Sequence, residues 1–325
     1  MNILVTGGAG YIGGTLTRLL LSQGHAVTVY DNLCHSRRAA VAANADFVEG
    51  EIADRALLEK TLSRRFDGVM HFAALIEAGE SMKHPEIYFR NNTATTLTLL
   101  EAMLATGHDR LVFSSTAACY GEPETTPILE DAKLAPTNPY GESKLLVEQM
   151  LRWMNLSHGF KYASLRYFNV AGAIEGYGEA HEPESHLIPL ILDVAIGRRA
   201  SIKVFGRDYP TKDGTCVRDY IHVRDLAEAH LLALSALSDT RSKLIYNIGN
   251  GQGFTVLEVI DSVRRVTGRP VAVEEFARRP GDPAELVASS EKIKAELGWQ
   301  PQFAELDQII ASAWEWHQRR FAEEK

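Results

Sequence analysis

Tyr140 and Lys144 stand four residues apart in a segment, Tyr140 to Ser157, whose apolar spacing is helical. Four residues is about one helical turn, so the two side chains leave the same face. A free phenol ionises near pH 10 and is a poor base at neutral pH. An ammonium one turn away favours the phenolate, and the pair is then suited to taking a proton from an alcohol. Ser114-Ser115-Thr116 closes a strand-like run, Arg110 to Ser115. Its Thr116 hydroxyl can hydrogen-bond the same reacting oxygen and shorten the proton's path to Tyr140. Each signal is weak alone, because Tyr-x-x-x-Lys recurs by chance and serines after a strand usually only form turns.

A third constellation is Gly7-Gly8-Ala9-Gly10-Tyr11-Ile12-Gly13, between the apolar run Asn2 to Thr6 and the helical pattern Tyr11 to Gln23. Glycines there permit a tight turn and let a pyrophosphate approach the N–H groups of a helix N-terminus. Asp31 ends the second strand-like run, Ala26 to Tyr30. A carboxylate in that place accepts both ribose hydroxyls of an adenosine and repels a 2′-phosphate, which indicates NAD rather than NADP. The cationic nicotinamide ring adds to the lysine's pull on the phenol.

Those residues need a scaffold. Strand-like runs at Asp46 to Glu49, Gly68 to His71 and Tyr162 to Tyr167 alternate with helical patterns at Arg55 to Leu62, Glu86 to Gly107 and Tyr140 to Ser157. Such alternation predicts right-handed crossovers and an α/β fold: a doubly wound, Rossmann-like parallel sheet with its ligand site beyond the strands' carboxyl ends. After Gly172 the elements shorten and mix. Helices are predicted near Leu187 to Ile196, Arg224 to Leu237, Val256 to Thr267, Ser289 to Leu297 and Glu305 to Phe321, with a strand at Ser201 to Phe205 and a loop at Arg207 to Gly214. The expected division is a dinucleotide-binding domain over 1–171 with a returning segment 220–248. A smaller C-terminal α/β lobe comprises 172–219 and 249–325.

The chain has 325 residues, 45% hydrophobic and 23% charged, as expected of a globular protein of about two domains. Its net charge of −8 offers no cation excess for nucleic acid or an anionic membrane. Cys34, Cys119 and Cys216 form no Cys-x-x-Cys pair, so neither a disulfide framework nor a metal site is expected. The first 17 residues are uncharged but contain five glycines and no basic start, unlike a signal peptide. With no apolar run long enough for a membrane helix, a soluble, cytoplasmic protein is expected.

Taken together, the motifs resemble the extended short-chain dehydrogenase/reductase family, and within it the nucleotide-sugar 4-epimerases, over nearly the whole length. The glycine string, Asp31-Asn32-Leu33, Phe72-Ala73-Ala74, Gly79-Glu80-Ser81, Asn91-Asn92, Asn138 to Lys144 and Leu165 to Asn169 carry the broad likeness. Phe205 to Thr211 and Asp213 to Val223 carry the specific one. The resemblance implies NAD-dependent epimerisation at C4 of UDP-hexoses through a transient 4-keto sugar that turns over in the pocket. Tyr140 is then the base, Thr116 its assistant, and Lys144 the holder of the nicotinamide ribose. It implies a cofactor site from Gly7, Gly10, Tyr11, Ile12, Gly13, Asp31, Asn32, Leu33, Cys34, His35, Ser36, Glu51, Ile52, Phe72, Ala73, Ala74, Ile76, Asn92, Ser114, Tyr140, Lys144, Tyr167 and Phe168. For the UDP-sugar it implies Thr116, Tyr140, Asn169, His186, Leu187, Lys203, Val204, Phe205, Arg218, Tyr220, Arg279, Asp282 and Leu286. Arg218 and Arg279 suit the pyrophosphate and Asp282 the uridine ribose.

Four positions depart from the family pattern: Ile76 for a lysine, Glu51 for an aspartate, His35 for a small polar residue and His186 for an asparagine. Ala117 and Ala118 stand where 4,6-dehydratases carry an Asp-Glu pair, which disfavours elimination of water. A UDP-glucuronate or UDP-xylose 4-epimerase and a silent NAD-sensing regulator are the alternatives; the latter commonly lacks the tyrosine or lysine. Leu286 falls where members restricted to glucose and galactose have a tyrosine, which predicts room for a 2-acetamido group. Finally, Leu145, Leu146, Val147, Met150, Leu151, Trp153 and Met154 cover a wider arc than one core-facing stripe. The excess predicts a homodimer through a four-helix bundle with the Glu86 to Gly107 helix.

Overall fold

A computed structural model describes residues 1–279 and 282–322; Gly281, which opens the string Gly281 to Ala288 that the resemblance matches to the segment closing over the hexose, lies outside them. Seven parallel strands form the central sheet: β1 (Asn2–Thr6), β2 (Ala26–Asp31), β3 (Asp46–Glu49), β4 (Gly68–His71), β5 (Arg110–Thr116), β6 (Lys161–Tyr167) and a last strand, Lys243–Ile248. Their spatial order is Lys243–Ile248, β6, β5, β4, β1, β2, β3. The order therefore reverses between β4 and β1, and Thr6 is in register with both Tyr30 and His71. A crevice opens at such a reversal, beyond the strands' carboxyl ends.

The sheet is buried on both faces because successive side chains point to opposite sides. Ile3, Val5, Met70 and Val112 pack under the helices Tyr11–Ser22 and Val223–Ala236. Leu4, Val69, Leu111 and Phe113 pack on the other face with Leu58, Leu99 and Val147. A separate core in the second lobe joins Ile188, Ile191, Val204, Val259 and Ile309.

The helix bearing Tyr140 runs from Pro139 to His158. Asn138 caps it, its side chain accepting from the Gly141 N–H at 2.9 Å, Pro139 sits in the first turn, and Gly159 stops it at φ 66°. The predicted Glu86 to Gly107 helix is continuous but not uniform. A π-helical stretch, Phe89–Ala94, separates Pro85–Tyr88 from Thr95–Ala105. The wider turn lets Asn92 face inward and bond both the N–H and the C=O of Leu75, at 2.8 and 2.9 Å.

The short strands Asn169–Ala171, Val217–His222, Gly253–Thr255 and Val273–Phe276 were not expected from sequence. Without a clear apolar pattern of their own, they form by pairing with partners far along the chain, as Val217–His222 does with both Asn169–Ala171 and Gly253–Thr255. Among the described residues no helix is long and apolar enough to cross a membrane.

Candidate active site

Residues of both lobes line one cleft of about 1400 Å³ at the carboxyl edge of the sheet. Small-ligand pockets usually span about 300–1,000 Å³, so this one has room for two extended ligands. Three expected residues do not line it. Leu33 packs its side chain against the sheet core, Asn92 is buried behind the wall, and Val204 belongs to the core of the second lobe. The other expected cofactor and substrate residues all face it.

At one end lies the glycine-rich loop. Gly7 has φ 71°, and a Cβ there would sit 2.6 Å from the Ala73 nitrogen; a Cβ on Gly13 would sit 2.3 Å from the Gly7 oxygen. Only glycine fits either place. The Asp31 carboxylate accepts from the Ala9 N–H at 3.0 Å and the Leu33 N–H at 2.8 Å. Each oxygen keeps a lone pair for a ribose hydroxyl. Asn32 donates to Glu51 at 3.0 Å and accepts from the Cys34 N–H at 3.1 Å, which shapes the adenosine side. A collision-tight turn, open first-turn N–H groups and a carboxylate beside them fit NAD.

Tyr140 stands midway along the cleft, half-buried. Burial pushes its phenol up to about 12, and the facing Thr116 hydroxyl pulls the other way without overcoming it. The sequence predicted a phenol lowered by Lys144. Instead, the Lys144 ammonium turns to β5 and donates to the Ser114 carbonyl at 2.9 Å and the Ser114 hydroxyl at 3.2 Å. It is itself buried, which pushes it down to about 7. Helical spacing aligned the two residues, but the strand carbonyl decided where the long lysine side chain points. The backbone of Tyr140 is held by Ser81, which accepts its N–H at 3.2 Å, and by Ser143, which donates to its carbonyl at 2.7 Å.

The far end belongs to the second lobe. Arg218 is ion-paired with Asp282. Arg279 stacks on Phe205 at 4.1 Å, and Phe205 lies 5.6 Å from Phe276. Between them, Arg218 and Tyr220 face the cleft while Asp219 turns away and accepts from the N–H groups of Asn250, Gly251 and Ala288. That carboxylate anchors the segment carrying Leu286, which pairs with Arg218 across two short parallel strands. Burial disfavours a charged His186, but its 2.8 Å contact with Glu184, together with Glu179, outweighs that and carries the ring up to about 9.

Sequence reasoning missed Glu77, Glu179 and His181, which also line the cleft. Ser185 donates to Glu77 at 2.8 Å and His181 lies 3.6 Å from it, joining loops of the two lobes. Neither loop has a periodic or motif signal from which this could be read.

Residues 3–249 match the NAD dependent epimerase/dehydratase family. The chain belongs to that family. The UDP-glucose 4-epimerase of Streptomyces lividans is 54% identical over 316 residues, spanning 97% of this chain and 95% of its own. The UDP-glucose 4-epimerase from Brucella ovis, solved in complex with NAD, superposes with a TM-score of 0.94 at 44% identity, over 97% of each chain. The UDP-Glc/GlcNAc 4-epimerase of Campylobacter jejuni superposes at 0.86 with 42% identity, over 98% of this chain and 99% of its own. The cofactor of this epimerase-family chain is NAD, in agreement with the glycine cradle and Asp31.

Proposed function

We infer that this cleft epimerises UDP-hexoses at C4, interconverting UDP-glucose and UDP-galactose. The carrying observation is Tyr140 beside Thr116, with Ala117 and Ala118 at the two positions after the threonine. A base for one alcohol proton is present, while the two positions after Thr116, where elimination of water would place its acid and base, carry only methyl groups. NAD, when bound, accepts and returns the C4 hydrogen as hydride and brings a positive ring that offsets the buried phenolate.

The chain's own groups do the rest. Tyr140 takes the proton of the 4-hydroxyl and gives it back, with Thr116 bonding the same oxygen. Lys144 holds the nicotinamide ribose from its seat on Ser114. Arg218 and Arg279 grip the pyrophosphate, Arg218 exchanging Asp282 for it, and Asp282 is freed for the ribose. Phe205, already stacked under Arg279, lies along the uracil. This grip leaves the hexose itself lightly held, as a sugar that must turn over requires. In a coupled assay across UDP-galactose, UDP-glucuronate and UDP-xylose, purified protein is expected to turn over UDP-galactose; turnover of only one of the latter two would replace the hexose reading.

The pocket also takes N-acetylated sugars. Leu286 lines the cleft where a tyrosine would crowd a 2-acetamido group. Wild type is expected to interconvert UDP-N-acetylglucosamine and UDP-N-acetylgalactosamine. Leu286→Tyr is expected to lose that activity and keep UDP-galactose turnover, because steric exclusion acts on the bulkier substrate alone. No acetylated turnover by wild type would end this reading.

The enzyme works as a homodimer. Leu145, Val147 and Leu151 are buried, but Trp153 is 59% exposed and Leu156 64% on the same helix, and Leu97 is 42% exposed on the neighbouring one. A second copy would cover these side chains. Light scattering at micromolar concentration should give twice the chain mass; a monomer mass refutes it. The proposed domain division, 1–171 with 220–248 against 172–219 with 249–325, is supported by the separate core of the second lobe, except that Ile293 and Trp299 of the last segment pack into the core of the sheet. We place the enzyme in the cytoplasm, where Cys34, Cys119 and Cys216 would remain free thiols, as they are here.

A further inference from the structure

We propose that Tyr177 is a positioning residue that latches the glycine-rich loop and sets how fast NAD leaves. The inference rests on the reading that this loop holds the NAD pyrophosphate.

Tyr177 belongs to the second lobe, on the small hairpin Ala173–Ile174 with Tyr177–Gly178. Its side chain is 6% exposed and is driven between the loop and the first helix, where a Cβ on Gly14 would lie 2.2 Å from its hydroxyl. That hydroxyl is 3.1 Å from the Ala9 carbonyl and 3.0 Å from the Gly10 carbonyl, so its one proton is shared between them. Burial pushes the phenol up to about 12, so it remains a donor at neutral pH. On the ring's face lies Arg18, its guanidinium 3.6 Å from the centroid and bonded to the carbonyls of Gly14 and Ala40. Behind the hairpin, Trp316 donates to the Glu179 carbonyl at 2.7 Å.

The loop answers in kind. Tyr11 extends from it to the second lobe and donates to the Gly172 carbonyl at 2.6 Å. Two tyrosines, one from each lobe, thus cross-link the turn and the lobe that covers it.

The consequence follows from peptide geometry. A trans peptide points its C=O and N–H in opposite directions. The Gly10 carbonyl accepts the first bond of the helix from the Gly14 N–H at 2.7 Å as well as the Tyr177 hydroxyl, so the two together hold the Tyr11 N–H facing the opposite way, among the first-turn donors that meet a pyrophosphate. Meanwhile the Gly10 N–H closes the turn onto the Gly7 carbonyl at 3.2 Å. A glycine-rich turn is soft, and Tyr177 adds a bond from outside the loop to those its own backbone makes.

The test is a time course of NAD remaining on NAD-loaded protein during dialysis, read from the acid-released dinucleotide. Losing the shared hydrogen bond in Tyr177→Phe should speed release about fivefold. Tyr177→Ala also loses the ring, and release should rise at least about 30-fold. Activity lost on dialysis should return with added NAD, which a merely unfolded protein would not show. If the alanine variant does not fold, the phenylalanine variant decides. Release at the wild-type rate from folded Tyr177→Phe overturns the proposal. So does equally fast release from Ile260→Val, which trims the second lobe's core away from the loop. Gly13→Val separates the underlying reading: if it holds NAD as wild type does, the loop is not the cofactor's cradle. If it loses NAD while Tyr177→Phe keeps it, only the latch fails.

Discussion

Tyr140→Phe is expected to lower turnover of UDP-galactose at least about 10²-fold, the scale for losing a positioned proton acceptor. Its effect on UDP binding should be small, because the phenol contacts the reacting alcohol while Arg218, Arg279 and Phe205 hold the nucleotide at the other end of the cleft. The titration of Tyr140 gives a second check. In NAD-free protein, burial holds the phenol near 12, so it is protonated throughout the neutral range. Adding NAD should bring phenolate absorbance to lower pH, and Tyr140→Phe should abolish that shift. Near-wild-type turnover in the variant would assign the base to another group.

Glu148→Leu is expected to destabilise the protein by about 3–5 kcal/mol, the cost of leaving a buried charge without its partner. Glu148 lies one turn beyond Lys144 on the helix of Tyr140, and it is 6% exposed. It meets the 2% exposed Arg166 of β6 through two bonds, at 2.6 and 3.0 Å. Ser115 of β5 donates to the same carboxylate at 2.5 Å. Arg166 also bonds the Tyr120 hydroxyl at 2.8 Å and the Glu130 carbonyl at 3.0 Å. One carboxylate therefore ties the helix of Tyr140 and Lys144 to the strands bearing Ser114, Thr116 and Tyr167. Removing it strands the guanidinium in the interior. A fall in Tm on the order of 10 °C should follow. The double variant Glu148→Leu with Arg166→Met should recover part of the loss, because the uncompensated charge is then gone. A double variant no more stable than the single one would show that the pair's value lies in its packing and not in its charge balance.

The sequence by itself determined six strands of the sheet and the cradle. Most of β1 to β6 are short, largely apolar runs bounded by turn residues, and the longer crossover helices declare themselves by spacing, so both are written in neighbouring residues. The glycine string and Asp31 were legible for the same reason, since the turn and the strand end that need them are local. Tyr140 and Lys144 were rightly placed on one helical face. Only the tertiary structure decided what they do there. It turned Lys144 to a strand carbonyl 30 residues away and left burial to hold the phenol up. It added Lys243–Ile248 to the sheet beside β6 and wound the helix at Asn92 as a π turn. It also brought Tyr177 to a loop 167 residues earlier in the chain. Each of these contacts joins segments that no periodicity links. Their energy comes from partners that become neighbours only once the sheet has formed and the second lobe has closed over its edge.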